Sequence, residues 1–392
     1  MKILTISTFP FEKPRHGGQH RLHNIVKYFQ SLGHRVESVG VLGSPNYEHQ
    51  NGFLPYPDHA DFLKVIANPF LMDDLAIGRL HATSESHFAA LSACIQSVPD
   101  VIHVELPWLV DFAARYRTAV GRPEIKIIYG SENVEHKLKQ AILSTYLSEA
   151  EAVSSAAQIR DCELSAIRAA DAICCVSQQD VEWTKQFTNV PCVLAANGVA
   201  RRESTRDGEL AASRIAEHKK FALYCASAHP PNIFGFYDIF SAGLGAIAPD
   251  QLLVVAGSAG PSIDSHGLAN RTPGLRARLK IAGEVDEATL HGLLDQAHAV
   301  VLPITQGEGT NLKTAEAIWA RKHVIATTKA MRGFEQFNSS PGIHVHDAPG
   351  EFLQCLQRAM QDEPLAVRGV DSSVRDAVLW ESCLSSLSTL IH

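Results

Sequence analysis

Short apolar runs recur along the chain, separated by longer segments in which polar and apolar positions are mixed. Such runs are typical of strands in a parallel sheet, because helices cover both faces of the sheet and bury its residues. The pattern predicts strands near residues 2–7, 34–42, 101–106, 125–129, 172–176, 221–226, 251–257, 280–285, 298–303, 323–327 and 344–346. The alternation of strands with helical segments predicts an α/β protein made of doubly wound parallel sheets.

The segments between these strands predict helices and domain borders. Helices are predicted over about 19–32, 137–170, 287–297, 312–320, 351–360 and 371–390. Gly33 fits the C-cap of the first of them. A charged stretch without clear periodicity, residues 200–218, is predicted to be a linker. We therefore expect a first domain over 1–199, a second over 219–370, and a terminal segment over 371–392.

Length and composition narrow the class of protein. A chain of 392 residues is longer than one hydrophobic core usually serves, which favours two domains. The net charge of −7 argues against nucleic acid as the main partner. The eight cysteines include no Cys-x-x-Cys pair, so reduced thiols in a cytosolic protein are expected. No apolar run approaches the ~18 residues of a membrane span, and the first strand does not resemble a signal peptide.

A glycine-rich loop joins the strand at 298–303 to the helix at 312–320. Two glycines and two small polar residues precede a lysine in the first helical turn: Gly307, Gly309, Thr310, Asn311 and Lys313. Glycines allow close approach of the backbone to a ligand, and the free amides and dipole of a helix start attract anions. The loop therefore predicts a phosphate site, with a purely structural turn as the alternative.

Two glutamates flank this helix start. Glu308 lies in the loop, and Glu316 shares a helix face with Lys313. Phosphate donors combined with two carboxylates for hydroxyl groups suit a nucleotide sugar better than a bare nucleotide. The Glu-x7-Glu spacing resembles the motif of retaining glycosyltransferases of the GT-B fold, the family 4 group (glycosyl transferases group 1). The strand at 323–327 and the turn at 331–334 fit the same resemblance.

The resemblance implies two Rossmann-like domains that face each other across a cleft. Residues 1–199 would bind the acceptor and residues 219–370 the nucleotide sugar, with 371–392 as a helix that crosses back to the first domain. Glu316 would bind the ribose hydroxyls and Glu308 the hydroxyls of the donor sugar. The family transfers hexosyl groups with retention of anomeric configuration, without a protein nucleophile.

The same resemblance implies how the leaving group is stabilised. Lys313 and the helix start would hold the departing diphosphate, so neither a metal nor a cofactor is expected beyond the nucleotide-sugar donor. Thr310 and Asn311 would contribute to the same site. The backbone from Gly283 to Val285 would contact the base.

Three features of the first half resemble the family as well. His103 and Glu105 point to one side of a strand near its carboxyl end, where parallel sheets bind ligands. The resemblance implies that His103 contacts the donor sugar as a catalytic residue, and a structural histidine is the alternative. Gly17 and Gly18 precede the first helix, where they would approach the donor or form a plain tight turn. The turn at 131–136 resembles a Glu-Asn-Val-Glu motif of the group.

The loop at 227–232 departs from the usual family pattern. Many members carry a Gly-Arg pair and a Lys-Gly pair whose cations bind the donor diphosphate. Here His229 and Asn232 occupy the corresponding loop. We therefore expect phosphate binding to rest on Lys313, helix amides and His229, and a histidine packed beside prolines is the alternative.

The expected partners are a nucleotide-sugar donor and a glycan, lipid-linked or small-molecule acceptor. The aromatic residues between 43 and 84 fit core packing or contact with a membrane-bound acceptor, so the expected location is the cytoplasm or the inner face of the membrane. Two alternatives stay open at this point: a sugar-nucleotide 2-epimerase of the same fold, and a non-catalytic partner subunit. The intact Glu308, Lys313 and Glu316 argue against the second.

Overall fold

A computed structural model describes residues 1–265, 277–306, 310–365 and 370–391 of the chain. The chain forms two compact units. The first contains Met1–Ala196 together with the last residues from Leu384, and the second contains Asn197–Cys383. Each unit has one parallel sheet with helices around it, which confirms the predicted α/β class and the doubly wound sheets.

The sheet of the first unit has seven parallel strands in the order β3-β2-β1-β4-β5-β6-β7. Its strands are β1 Lys2–Ser7, β2 Arg35–Val41, β3 Phe53–Leu54, β4 Val101–Glu105, β5 Lys126–Ser131, β6 Ala172–Cys175 and β7 Cys192–Leu194. The strand order reverses between β1 and β4, so the carboxyl ends of these two strands form a topological switch point.

Helices of the first unit connect these strands and cover the sheet. They are Gly17–Ser31, His59–Phe62, Asp73–Thr83, Glu85–Ala93, Val110–Ala119, Glu135–Leu143, Glu149–Ala169, Gln178–Thr184 and Ser388–Ile391, with a 3₁₀ turn at Ser385–Leu387. Gly33 has a φ of 81° after the first helix, as expected of a C-cap glycine. Ser177 caps its helix by accepting a hydrogen bond from the Asp180 amide.

The sheet of the second unit has six parallel strands in the order β10-β9-β8-β11-β12-β13. Its strands are β8 Lys220–Cys225, β9 Gln251–Ala256, β10 Leu279–Gly283, β11 Ala299–Leu302, β12 His323–Ala326 and β13 Ile343–Val345. Successive residues face opposite cores: Leu223 packs on one side of the sheet and Tyr224 on the other. The switch point of this unit lies between β8 and β11.

Helices of the second unit lie on both faces of its sheet. They are Arg206–Ile215, Pro230–Phe240, Ala259–Ser265, Glu287–Gln296, Leu312–Trp319, Pro349–Gln361, Val370–Arg375 and Trp380–Cys383, with 3₁₀ turns at Glu335–Phe337 and Asp376–Val378. None of the helices in the described parts of the chain is long and apolar enough to cross a membrane. The eight cysteines, all of which lie in described parts of the chain, form no disulfide bonds.

The helix expected over 137–170 is in fact two helices, Glu135–Leu143 and Glu149–Ala169. Ser148 begins the second one with a capping box, because its side chain accepts from the Glu151 amide while the Glu151 side chain accepts from the Ser148 amide. This cap gives the second helix its own start and separates it from the first.

Residues 200–218 also differ from the expected linker, because they contain the Arg206–Ile215 helix. This helix packs against Glu287–Gln296 at two glycines. A Cβ at Gly208 would lie 2.1 Å from the Ala288 carbonyl oxygen, and a Cβ at Gly292 would lie 2.3 Å from the Gly208 carbonyl oxygen. The contact therefore requires glycine, which has no Cβ, at both positions. A pattern of apolar residues does not reveal such a contact.

The terminal segment is a series of short helices rather than the single helix expected over 371–390. Arg375 is buried in the second unit, where its guanidinium donates to the carbonyl oxygens of Ile318, Lys322 and Pro341. The residues from Leu384 onward belong to the first unit, and there Lys126 donates to the Leu390 carbonyl oxygen.

Candidate functional site

Those residues of the second unit that the sequence singled out and the structure describes lie along one edge of its sheet. This edge is formed by the carboxyl ends of β8, β9, β10 and β11, and it includes the switch point. Open parallel sheets bind ligands at such edges, because the loops that leave the strands converge there and helix starts point toward them.

The Leu312–Trp319 helix begins at this edge. Asn311 is its N-cap and accepts a hydrogen bond of 3.1 Å from the Lys313 amide. The Asn197 side chain donates to the Thr310 hydroxyl at 2.8 Å, and Thr314 donates to the Ala330 carbonyl oxygen at 2.6 Å. These bonds fix the position of the helix start. Gly307, Glu308 and Gly309 lie outside the described residues.

Three charged side chains meet beside this helix start. Nη1 of Arg202 lies 3.7 Å from Oε1 of Glu316. Burial raises the pKa of Glu316, and the charges of Arg202 and Lys313 oppose that rise. Burial lowers the pKa of Lys313, while Glu316 acts in the opposite direction. Two cations and one carboxylate leave one net positive charge, which suits an anionic ligand.

A half-buried thiol lies next to these charges. Cys225 ends β8, and burial, followed by the charge of Glu316, raises its pKa to about 12. A thiol with so high a pKa stays protonated and is a poor nucleophile. The chemistry of this edge is therefore that of the arginine, the lysine and the carboxylate.

The loop at 227–232 places its histidine and asparagine differently. His229 is the N-cap of Pro230–Phe240, and burial and the nearby charge of Lys313 lower its pKa, so its ring stays neutral at pH 7. The Asn232 amide donates to the carbonyl oxygen and hydroxyl of Ser227 at 3.0 and 3.2 Å. Asn232 therefore holds the loop closed, whereas His229 lies beside the charged cluster.

The expected base-contacting backbone lies at the end of β10. Gly283 has a φ of 69° and accepts a hydrogen bond of 2.6 Å from the Gly257 amide. The space where a Cβ of Gly283 would point is open. Val285 is half-buried and packs against the core of the second unit. This backbone shares an edge of the sheet with His229.

In the first unit, His103 belongs to a buried network of polar side chains. Its Nε2 lies 2.7 Å from Oε2 of Glu105, whose other oxygen accepts from Nε of Arg21 at 2.8 Å. Burial alone would raise the pKa of Glu105, but Arg21 and His103 outweigh it and lower the pKa to about 2. His103 has no exposed surface. A ring without exposed surface has no open side for a sugar, so we assign His103 to this network and not to donor contact.

Gly17 and Gly18 begin the first helix of the chain, as the sequence indicated. A Cβ at Gly18 would lie 2.9 Å from Oε2 of Glu132. Burial and the charge of Glu105 raise the pKa of Glu132 well above its usual value. The room at Gly18 thus accommodates Glu132, and in this structure the glycine serves the packing of that carboxyl group.

Sequence reasoning missed two residues of the second-unit site, Asn197 and Arg202. Both come from the short stretch that leads into this unit, and each reaches a residue more than 110 positions away. The adjacent pair Arg201 and Arg202 next to the Asn-Gly-Val turn was the available signal. The charge of this stretch and its lack of periodicity instead predict a linker.

Comparisons with known proteins identify the fold of the chain and the family of part of it. A family model described as "Glycosyl transferases group 1" matches residues 220–362, a range that contains the helix start, Lys313 and Glu316. No curated protein matched the chain.

Several solved structures are similar over the whole chain. Sucrose-phosphate synthase of Thermosynechococcus elongatus has 14% identity and a TM-score of 0.65, covering 100% of this chain and 98% of that one. HepE of Anabaena in complex with UDP has 14% identity and a TM-score of 0.57, with 100% and 96% covered. The lipopolysaccharide outer core galactosyltransferase WaaB has 13% identity and a TM-score of 0.60, with 100% and 99% covered.

At identities this low, structural similarity establishes the fold alone. The family model assigns residues 220–362 of the second unit to the glycosyl transferases of group 1. The resemblance drawn from the Glu-x7-Glu spacing is thereby confirmed. The chain has the GT-B fold, and its residues 220–362 match the glycosyl transferases of group 1.

Proposed function

We propose that this protein transfers a hexosyl group from a nucleoside-diphosphate sugar to a hydroxyl acceptor, with retention of anomeric configuration. The observation that carries the proposal is the helix start at Asn311, with Lys313 and Glu316 beside it at the switch point of the second sheet. These residues fall inside the range that matches the group 1 family.

The proposed chemistry follows from the charges of this edge. The bond from the anomeric carbon to the diphosphate breaks, a bond to the acceptor oxygen forms on the same face, and the acceptor proton passes to a phosphate oxygen. Negative charge grows on the diphosphate, so Lys313 and the amides of the helix start stabilise the transition state more than the ground state. In the proposal, Lys313 and the dipole of the helix stabilise the charge that a bound metal ion would otherwise stabilise.

Binding of the donor is divided among the other residues. Glu316 accepts hydrogen bonds from the ribose hydroxyls, and Glu308 binds hydroxyls of the transferred sugar. Thr310 and Asn311, with the flanking glycines 307 and 309, line the phosphate side. His229 contacts the same phosphates, and the backbone at Gly283 and Val285 contacts the base. UDP-glucose is the first donor to test, because HepE has been solved with it.

We also propose that the first unit binds the acceptor and contacts a membrane surface. An exposed apolar cluster supports this, formed by Phe70, Leu71, Ile142 and Tyr146. The rings of Phe70 and Tyr146 are 6.2 Å apart, and Lys139 donates to the Leu71 carbonyl oxygen beside them. Aromatic residues next to a lysine are typical of a surface that rests on anionic lipid headgroups.

The activity is tested by incubating the protein with UDP-, GDP-, ADP- and dTDP-sugars, with and without a chelator. We expect slow release of one nucleoside diphosphate, unchanged by the chelator. Interconversion of two sugar nucleotides would identify an epimerase instead, and no reaction with any donor or acceptor mixture would indicate a non-catalytic subunit. Loss of activity that manganese restores would contradict the metal-independent mechanism.

Glu316→Gln should weaken nucleoside-diphosphate binding about tenfold or more, because a hydrogen bond to a charged group contributes roughly 1.5–3 kcal/mol. Isothermal titration calorimetry gives the affinity. Glu287→Gln is the control, because the Glu287 side chain is exposed on another helix. Equal affinities of Glu316→Gln and the unmodified protein would remove the ribose assignment.

Lys313→Ala should lower kcat about a hundredfold or more, the usual effect of removing a group that stabilises developing charge. Steady-state rates of diphosphate release measure it, and thermal unfolding checks that the fold persists. Lys219→Ala, at a lysine paired with Glu217 away from this helix, should keep the original rate. A normal rate in Lys313→Ala would refute its role at the leaving group.

Phe70→Ser combined with Tyr146→Ser should reduce co-sedimentation with vesicles of phosphatidylcholine and phosphatidylglycerol, since the apolar area that enters the headgroup region is lost. Donor hydrolysis should be unaffected. Leu210→Ser, which changes an exposed apolar residue of the second unit, is the control. Vesicle binding that survives the double substitution would show that this cluster is not the membrane contact.

A further inference from the structure

The segment that follows Ala196 is held firmly against the second unit. The Val199 amide donates to the Val378 carbonyl oxygen at 2.9 Å, and the Trp380 amide donates to the Val199 carbonyl oxygen at 3.1 Å. A Cβ at Gly198 would lie 2.8 Å from the Trp380 nitrogen, so the glycine is needed for this approach. These contacts hold the backbone at Val199, three residues before Arg202.

The Arg202 side chain is only 9% exposed. One guanidinium nitrogen, Nη1, lies at ion-pair distance from Glu316. The other, Nη2, is shielded from solvent and makes no hydrogen bond to the described residues. A buried guanidinium needs a compensating carboxylate, and within the described ranges the ion pair of Arg202 is with Glu316.

Two cations flank the Glu316 side chain, which is also partly exposed to solvent. Lys313 lies one helical turn before it, and Arg202 approaches from the segment that leads into the unit. The Glu316 side chain is 29% exposed, and its carboxylate accepts no hydrogen bond from the parts of the chain that the structure describes. Its lone pairs are therefore available for ligand hydroxyl groups.

We propose that Arg202 is a positioning residue that holds the Glu316 carboxylate in place for the ribose hydroxyls, and so makes the site selective for ribonucleotides. This inference rests on the proposed function, because it takes the ligand of Glu316 to be a ribose. Arg202 itself does not touch the nucleotide. It acts through the ion pair, and without it the carboxylate would lose one of its two flanking cations.

The inference has a consequence for the pH dependence of binding. Burial raises the pKa of Glu316, and Arg202 opposes that rise. Removing Arg202 raises the pKa further, so the carboxylate becomes protonated as the pH falls and loses acceptor capacity. Nucleotide affinity in an Arg202→Met protein should therefore decrease more steeply with falling pH than in the unmodified protein.

Other charged and titratable groups around the pair must be separated from this effect. Lys313 and Cys225 interact with Glu316, His229 interacts with Lys313, and His291 interacts with Arg202. Burial lowers the pKa of both histidines, and any proton that they gain as the pH falls also changes the affinity. The Glu316→Gln background isolates Glu316, because the additional pH dependence caused by Arg202→Met must disappear there.

The experiment compares UDP with 2′-deoxy-UDP by calorimetry, and repeats the comparison with ADP and GDP and their deoxy forms if UDP does not bind. We expect the unmodified protein to prefer the ribonucleotide about tenfold, one hydrogen bond to a charged acceptor. Arg202→Met should lose most of this preference, and Arg202→Lys should recover part of it. In Glu316→Gln the preference should already be small, and adding Arg202→Met should reduce it no further.

Arg201→Met is the matched control. Arg201 adjoins Arg202 but is exposed and pairs with Glu381, so its loss should leave the ribose preference unchanged. A preference that persists in Arg202→Met would overturn the inference, as would an equal loss of affinity for both nucleotides. If Arg202→Met does not fold, Arg202→Lys and Arg202→Gln provide the same comparison. Failure of the unmodified protein to bind any nucleoside diphosphate would instead contradict the proposed function.

Discussion

The position of one helix start, at Asn311, is the constraint on which the proposed site depends. It lies where β8 and β11 diverge, and hydrogen bonds from Asn197 to Thr310 and from Thr314 to Ala330 hold it there. Burying Lys313 beside this start is unfavourable without an anion nearby, and Glu316 supplies only part of the compensation because Arg202 adds a second cation. A diphosphate would neutralise the remaining charge, so binding energy and leaving-group stabilisation have the same source.

The segment from Asn197 to Arg202 contributes two side chains to this site. The chain passes from one unit to the other at Ala196, and the first residues of the second unit pair with the backbone near Val378. Asn197 then reaches the loop before the helix start, and Arg202 reaches Glu316. A stretch that was predicted to be a connection is therefore a structural part of the proposed nucleotide site.

The sequence was sufficient for eleven of the thirteen strands in the described residues, because an apolar run is a local signal. It missed β3 and β7, whose two and three residues are too short to give such a run. It was insufficient for Arg202, whose partner is 114 positions away, and for the Arg206–Ile215 helix, which packs through Gly208 and not through a stripe of large apolar residues. It correctly placed His103 and Glu105 on one side of β4. The burial of these two side chains, however, depends on Arg21, which comes from the Gly17–Ser31 helix. Burial is a property of the assembled unit, so the pattern along one strand could not distinguish a ligand-facing histidine from an enclosed one.

Two of the arginine–glutamate pairs, Arg21 with Glu105 and Arg202 with Glu316, show why one carboxylate is structural and the other suits a ligand. Arg21 and Glu105 are fully buried, and Nε lies 2.8 Å from the carboxylate, which also receives a hydrogen bond from His103. That carboxylate has its charge and its lone pairs satisfied by the protein. Arg202 and Glu316 are 3.7 Å apart, beyond hydrogen-bond distance, and the Glu316 side chain keeps 29% of its surface exposed. An ion pair at this separation favours the ionised form of the carboxylate and leaves its oxygens free to accept hydrogen bonds. Recognition of ribose hydroxyl groups requires both properties.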